Sequence, residues 1–456
     1  MTNIAEYLAD YGSSLAYESL PPQVVHKVKG LLIDTLACGI GGYASGPGEI
    51  ARRLAERISP RDMHATVLGS GRKTSPDLAA FANGSMIRYL DLNDGFITLG
   101  GGGHPSDNLA PVLACGEAVH AGGKDLLTAS VLAYEVFCRL QDQLDLAPRG
   151  FDQAVIGVIS CTAGSSKILG LSPEQMVQAT NLAITPNMSL YQTRIGEISM
   201  WKACAAANAA RNAVFAALLA KEGMTGPSPI FEGRAGFMKA VSGPFQLEEF
   251  GGEKRPFRIM DVTIKRYPCG KHAQTAIDAA INLRAKVSGI DEIDAINIGS
   301  STYAKAIMAG DAEKWRPMTR ETADHSIPYV VGVALMTGGV EVGHFADEYL
   351  YNPVLLDLVQ KIKVEGTEEC NRLYPDASAN RVEIITKSGE RFSELVQYHR
   401  GHFQNPLTDE EVELKFHLLT RELLSLEQRQ GLLSFLWNLE QINDIGNIMK
   451  LLTIMN

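Results

Sequence analysis

Between Trp201 and Ala220 the chain reads Trp-Lys-Ala-Cys-Ala-Ala-Ala-Asn-Ala-Ala-Arg-Asn-Ala-Val-Phe-Ala-Ala-Leu-Leu-Ala. Alanine is the strongest helix former, and small side chains at this density let neighbouring helices approach closely. The segment therefore reads as a helix in the middle of a helical bundle. Asn208, Arg211 and Asn212 interrupt it, and no run of 18 apolar residues occurs elsewhere, which argues against a membrane-crossing helix. Other stretches repeat the helical period. Val24, Val25, Val28, Leu31, Leu32, Thr35 and Leu36 recur at three- and four-residue steps behind the start signal Pro21-Pro22. Leu126 to Leu140, Val155 to Leu169 and Met176 to Ile184 behave alike, the last behind the N-cap sequence Ser172-Pro173-Glu174.

The pattern changes near residue 258. Arg258 to Ile264 alternates and reads as a strand, Ala273 to Val287 as a helix, and Ile293 to Ile298 as β-like. Ile327 to Met336 is helical again. Arg381 to Thr386 and Phe392 to Val396 read as strands joined by the turn Lys387-Ser388-Gly389-Glu390. Helical character resumes with the capped start Thr408-Asp409-Glu410-Glu411 and the amphipathic stretch Leu426 to Leu439. The expected fold class is mainly α: a large helical domain from residues 1–263 and 402–456, interrupted by a smaller α+β lid over 264–401. Two bodies of this kind leave a cleft between them, where small-molecule sites usually lie.

Charge and motifs exclude several function classes. The 456 residues carry 42 Lys+Arg against 52 Asp+Glu, a net charge of −10. Nucleic acids and anionic membranes need a basic footprint, so neither is an expected partner. A small anionic substrate is permitted where cations cluster locally. Seven scattered cysteines without a CxxC pair signal neither a zinc ribbon nor an iron–sulfur cluster. They fit a reduced, cytoplasmic protein with buried thiols, and the acidic N-terminus does not read as a signal peptide. GxxxxGK[ST], GxGxxG and HExxH are all missing.

Polar clusters stand out from the apolar helices. The first runs Arg88-Tyr89-Leu90-Asp91-Leu92-Asn93-Asp94 through Thr98 and four glycines to His104-Pro105-Ser106-Asp107-Asn108. Its glycine loop could fold the Asp94 carboxylate and the His104 imidazole over one ligand; alternatively, Asp91 and Asp94 cap a helix end and His104 satisfies a turn. The second, Lys265-Arg266-Tyr267-Pro268-Cys269-Gly270-Lys271-His272, is a compact basic knot at a helix start, suited to a carboxylate or phosphate, or else a solvated turn. The third, Glu321-Thr322-Ala323-Asp324-His325-Ser326, precedes an apolar helix and caps it. Lys202, beside Trp201 and packed alanines, is a candidate desolvated lysine or one that snorkels.

Taken together, these residues resemble the MmgE/PrpD family, which includes 2-methylcitrate dehydratase, cis-aconitate decarboxylase and iminodisuccinate epimerase. The resemblance rests on Leu32-Ile33-Asp34-Thr35-Leu36-Ala37-Cys38-Gly39, the Met86–Asp94 segment and Gly103-His104-Pro105-Ser106-Asp107-Asn108-Leu109. It extends through Trp201-Lys202-Ala203, Thr225-Gly226-Pro227, Phe231-Glu232-Gly233, Lys265-Arg266-Tyr267-Pro268 and Glu321–Ser326. The Asn-Asp…Gly-His-Pro-Ser-Asp-Asn pairing is most similar to the 2-methylcitrate dehydratase branch. The resemblance implies a homodimer, no metal and no organic cofactor, and a small anionic carboxylate as substrate. By local motif it implies catalytic roles for Asp94, His104, Lys202, His272 and Tyr329, and substrate binding by Thr98, Ser106, Arg266, Lys271 and His325. The sequence departs from the family pattern at one place: many members carry a His shortly after a Gly-Phe pair, whereas Gly150-Phe151 is followed here by Asp152-Gln153.

The implied chemistry is β-elimination of water from a hydroxy-di- or tricarboxylate, with epimerisation or decarboxylation through a similar carbanion as rivals, and non-catalytic carboxylate binding as a further alternative. Elimination needs a base beside a carboxylate, an acid for the departing hydroxyl and cations for the developing charge. His104 with Asp94 as its orienter, and His272 or Tyr329, are the expected base and acid. Lys202, Lys265, Arg266 and Lys271 are the expected positive wall.

Overall fold

The computed structural model describes residues 3–455. Helices dominate, and the fold class is mainly α. The Ala-rich segment forms the helix Trp201–Lys221, packed against Pro76–Tyr89, Ala154–Ile168 and Pro173–Ile184. It is the one described helix long and apolar enough to cross a membrane by composition, yet most of it is buried among its neighbours. Small residues are required at the crossing with Pro76–Tyr89. A β-carbon on Gly84 would lie 3.1 Å from the Ala207 methyl, which is tighter than ordinary contact. The start signals work locally as read: Pro22 opens Pro22–Gly41, while Ser172 with Gln175 and Thr408 with Glu411 form reciprocal caps.

Two hydrophobic cores organise the chain. One gathers apolar residues from Ala5 to Ile264 and again from Val412 to Leu452, with Asp409–Thr420 lying against Pro22–Gly41. The other, between Tyr267 and Ile384, is built on a four-stranded sheet. Its strand order is Ile362–Gly366, Ile293–Ser300, Asn380–Thr386, Arg391–Val396; the first pair is parallel and the other two antiparallel. Strand Ile362–Gly366 was not flagged by the sequence pattern. It has only two inward residues, Ile362 and Val364, and its parallel pairing depends on a long crossover through Ile327–Thr337.

The alternation over Arg258 to Ile264 does not make a strand. Arg258–Asp261 is a 3₁₀ turn, and only Thr263 pairs, through an isolated bridge to Gly95 with both N···O distances at 2.8 Å. Among the described residues the segment joins neither sheet. Ile259 and Val262 point into the helical core, while Arg258 pairs with Asp142 at 2.9 Å. Glu135, fully buried on Gly123–Gln143, fixes this segment. It accepts hydrogen bonds from the backbone N–H groups of Gly251 and Arg258 and from Arg139 Nε, each at 2.7 Å. Glu135→Ala should therefore lower stability by about 3–5 kcal/mol, because Arg139 and two N–H groups lose their acceptor together. A urea midpoint unchanged from wild type would contradict this role.

Candidate active site

The site begins where Pro76–Tyr89 ends. Asp91 adopts the left-handed conformation (φ 51°), which Asp tolerates better than most residues. Its fully buried carboxylate meets Arg88 Nη1 at 2.7 Å, Lys265 Nζ at 2.6 Å, His325 Nδ1 at 3.0 Å and Lys202 Nζ at 3.2 Å. Lys202 Nζ also pairs with Asp324, whose Oδ1 is 2.8 Å from His325 Nδ1. Burial pushes the Asp91 carboxyl up, but Arg88, Lys202 and Lys265 together outweigh it and hold the group well below the usual carboxylate range. Asp91, Asp324 and His325 bring ligand-type atoms within 4.8 Å of one another. Three cations against two carboxylates already fill that cluster, so a divalent ion placed there would face uncompensated positive charge.

His104 lies across Arg88. A guanidinium only donates, so His104 Nε2 accepts from Arg88 Nη2 at 2.9 Å, and Nδ1–H donates to the Asp94 backbone carbonyl at 2.7 Å. Burial, reinforced by Arg88, drives the imidazole well below its ordinary pKa, so it is neutral at pH 7. The Asp94 carboxylate faces elsewhere. It accepts from Ser106 N at 3.0 Å, Ser106 Oγ at 2.6 Å and Tyr134 OH at 2.9 Å. Burial raises it to about 6 against the pull of these hydrogen bonds. Asp94 thus orients His104 through its carbonyl, not its carboxylate, which corrects the expected carboxylate–imidazole pair.

A cavity of about 100 Å³ opens above this layer, lined among others by Arg88, His104, Lys271, His272 and His325. Lys271 has no hydrogen-bond or ion-pair partner among the described residues. Burial first, then Lys265 and Arg88, lowers its ammonium to about 7. His272 Nδ1 lies 2.9 Å from Ser378 Oγ, and burial followed by Lys271 pushes this ring well below its ordinary pKa. The glycine loop forms another wall. Gly101 has φ 89°, and a β-carbon there would overlap the Tyr303 hydroxyl. From the α+β region Tyr303 OH donates to Gly100 O at 3.3 Å and Tyr374 OH to Thr98 O at 2.7 Å, the two rings being stacked.

Of the ten residues expected at the site, His104, Lys271, His272 and His325 line this cavity. Asp94, Ser106 and Lys202 are buried behind it, held by the bonds already described. Thr98 faces a second cavity on the far side of the glycine loop, its buried hydroxyl unpartnered. Two placements are corrected. Tyr329 is locked in the second hydrophobic core, its hydroxyl donating to His344 O at 2.7 Å and its ring against Phe345. Arg266 is exposed over the Tyr267 ring, because Lys265, its neighbour on the opposite side of the extended chain, takes the inward position. The positive wall is accordingly Arg88, Arg194 and Lys271, with Lys202 and Lys265 consumed by carboxylates. Asp91 and Arg88 were visible inside the first cluster, yet nothing local distinguishes Asp91 from Asp94. Arg194 carried no sequence signal at all, and Asp152 and Gln153 only the signal of a departure.

The model for the MmgE/PrpD N-terminal domain matches residues 6–249, and that for the MmgE/PrpD C-terminal domain matches residues 267–441. The chain belongs to the MmgE/PrpD family. This family member is 26% identical to human cis-aconitate decarboxylase, over 99% of this chain and 95% of that protein. It is 29% identical to the mitochondrial 2-methylcitrate dehydratase of Yarrowia lipolytica, over 88% of this chain and 80% of the relative. It is 28% identical to 2-methylcitrate dehydratase of Escherichia coli K12, over 88% and 86%. The relatives are lyases, dehydratases and decarboxylases, and the comparison supports an enzyme of that broad kind.

Proposed function

We propose that this MmgE/PrpD protein is a hydro-lyase that eliminates water from a hydroxy-di- or tricarboxylate such as 2-methylcitrate. The observation that carries the reading is one small cavity holding neutral imidazoles, an unpaired ammonium near neutrality and guanidinium groups. His325 is the base in this reading. Its Nδ1–H points at the Asp91 and Asp324 carboxylates, which leaves Nε2 as the basic atom and stabilises the imidazolium formed on proton uptake. Burial and then Lys202 keep the ring below its ordinary pKa, hence neutral before reaction. The C–H electron pair becomes the alkene as the C–O bond breaks. Lys271 delivers its proton to the departing hydroxyl, and Arg88 and Arg194 stabilise the charge gathering on the carboxylates.

Decarboxylation is the second reading, supported by the nearly complete alignment with human cis-aconitate decarboxylase. A hydroxylated substrate is favoured by Gln141, whose buried Oε1 lacks a hydrogen-bond partner at the cavity wall. A substrate hydroxyl would satisfy that acceptor. NMR in D₂O with 2-methylcitrate, citrate and cis-aconitate tests the reading. Conversion of the methyl doublet of 2-methylcitrate into an allylic methyl singlet, with new alkene carbon signals, is expected, and His325→Gln should reduce its rate by about 10²–10⁴-fold. Release of CO₂ without dehydration would transfer the assignment to a decarboxylase. Deuterium wash-in without net conversion would transfer it to an epimerase, and no change in any substrate would overturn the lyase reading.

A further inference from the structure

We propose that Tyr303 and Tyr374 are positioning residues that clasp the glycine loop over the cavity, and that release of this clasp lets ligand enter and leave. The inference rests on the lyase reading above and adds the step by which its cavity exchanges ligand with solvent.

The loop is pinned at its base and has little of its own to hold its tip. Gly95 bridges Thr263, and Phe96 and Gly103 exchange backbone hydrogen bonds at 2.9 Å each. Within the tip, Gly101 N donates to Thr98 O at 2.9 Å. Gly100 to Gly103 offer no side chain, and glycine gives up more conformational freedom on ordering than any other residue. Leu99, the large apolar residue at the tip, is 74% exposed and so adds little anchoring. Two phenols of the α+β region supply the missing attachment. Tyr374 OH donates at 2.7 Å to Thr98 O, the carbonyl that also accepts from Gly101 N, and Tyr303 OH donates to Gly100 O. Their rings stack with centroids 5.5 Å apart, so each steadies the other over the tip.

Glycine is required beneath the phenols. A β-carbon on Gly101 would overlap the Tyr303 hydroxyl, and one on Gly100 would lie 3.0 Å from Leu144 O and from Asp145 Cα. The tip is thus a thin layer between the phenols and the Leu144–Asp145 backbone. Burial pushes both phenols above their ordinary pKa, so they stay protonated donors across the neutral range. Each hydroxyl has a single proton, and both protons are spent on backbone carbonyls. The pair therefore acts on the reaction through the loop rather than on the substrate. Gly100, Gly101 and Gly102 all line the cavity, and Gly103 is followed directly by His104. Tyr303 also lines it and meets the His272 ring edge to face, with centroids 5.6 Å apart. Once the phenols let go, the tip is free to turn on its pinned base and the glycine wall opens.

Tyr303→Phe, Tyr374→Phe and the double variant Y303F/Y374F test this, because they keep both rings and their stack while removing the bonds to the loop. Hydrogen exchange read by mass spectrometry on the unliganded proteins should rise about 10–100-fold over residues 97–103 of the double variant, with the rest of the chain at wild-type rates. Tyr374→Phe should do more than Tyr303→Phe, because its bond is the shorter. In turnover with 2-methylcitrate, kcat/KM of the double variant should fall about tenfold, the larger part in KM, because the closed loop that retains substrate is populated less. Wild-type exchange in the loop of the double variant would overturn the clasp. So would raised exchange throughout the chain with a melting point lowered by about 8 °C or more, since the phenols would then hold the fold and not the loop. Raised loop exchange with KM and kcat both unchanged would overturn the role in ligand exchange. Wild-type protein that converts no acid would overturn the lyase reading alone, because the exchange comparison needs no turnover and still decides the clasp.

Discussion

Lys271→Met should melt several degrees above wild type while losing about 10²–10⁴-fold in kcat. Two features of one side chain drive these opposite effects. Lys271 is an ammonium with no hydrogen-bond or ion-pair partner among the described residues, lowered by burial to about 7 from an ordinary 10.5. Between those values the unfolded chain binds a proton that the folded chain does not hold fully, so stability rises with pH across that window. Below pH 7 the penalty is constant, on the order of 2–4 kcal/mol after allowing for partial solvent access. Methionine keeps the length and removes the charge, so the variant's advantage should be largest at pH 7 and should vanish near pH 10. The catalytic loss has the same source, because an acid near neutrality suits protonation of a departing hydroxyl. Wild-type kcat/KM should fall on the alkaline side of about pH 7 as the ammonium loses its proton. Bound carboxylates favour the charged form and should move the limb in kcat higher. Urea midpoints at pH 7 and 10 with the two rate profiles check the prediction. A variant less stable than wild type, or one retaining full kcat, would rule it out.

Asp91→Asn should be among the most damaging single substitutions in the molecule. Asp91 is fully buried and faces Arg88, Lys202 and Lys265. An amide of the same shape leaves Lys202 with Asp324, and leaves Arg88 and Lys265 without a carboxylate partner among the described residues. Breaking one buried pair costs about 3–5 kcal/mol, a large share of the 5–15 kcal/mol that holds most proteins folded. The variant should accumulate poorly or unfold at least about 10 °C lower. Because the folded Asp91 carboxyl lies well below its ordinary value, its contribution is present above about pH 4 and is lost as pH falls through the folded value. Asp94→Asn should be much milder. Its carboxyl is already raised to about 6 by burial, and an amide oxygen still accepts from Ser106 and Tyr134. Comparable unfolding midpoints for the two variants would show that Asp91 is not the charge hub.

Much of the fold was legible because its causes are local. Helix Trp201–Lys221 follows from alanine propensity and small-residue packing, Pro173–Ile184 from the Ser172 cap, and the hairpin Asn380–Val396 from alternation around a glycine turn. Failures came where periodicity had two causes. Over Arg258 to Ile264, alternation reflects core contacts without a strand partner; over Ile362–Gly366 a real strand is too short to show alternation.

The candidate site divides in the same way. His104, Lys271, His272 and His325 were legible from clustered polar residues in an apolar chain. Tyr329 and Arg266 were misplaced because a residue's neighbours in sequence do not settle which way it faces. By itself the sequence determined the helical bundle, the late α+β region, the missing nucleotide and zinc motifs, and the clusters that carry the family resemblance. Only the tertiary structure decided that Asp91 rather than Asp94 gathers the cations, that Lys202 and Lys265 are spent on it, and that Arg194 faces the cavity. The physical reason is range. Helix propensity and caps act over a few residues, whereas burial and Coulomb attraction couple residues 88–94, 152, 194, 202, 265 and 324–325 only after the chain has brought them together.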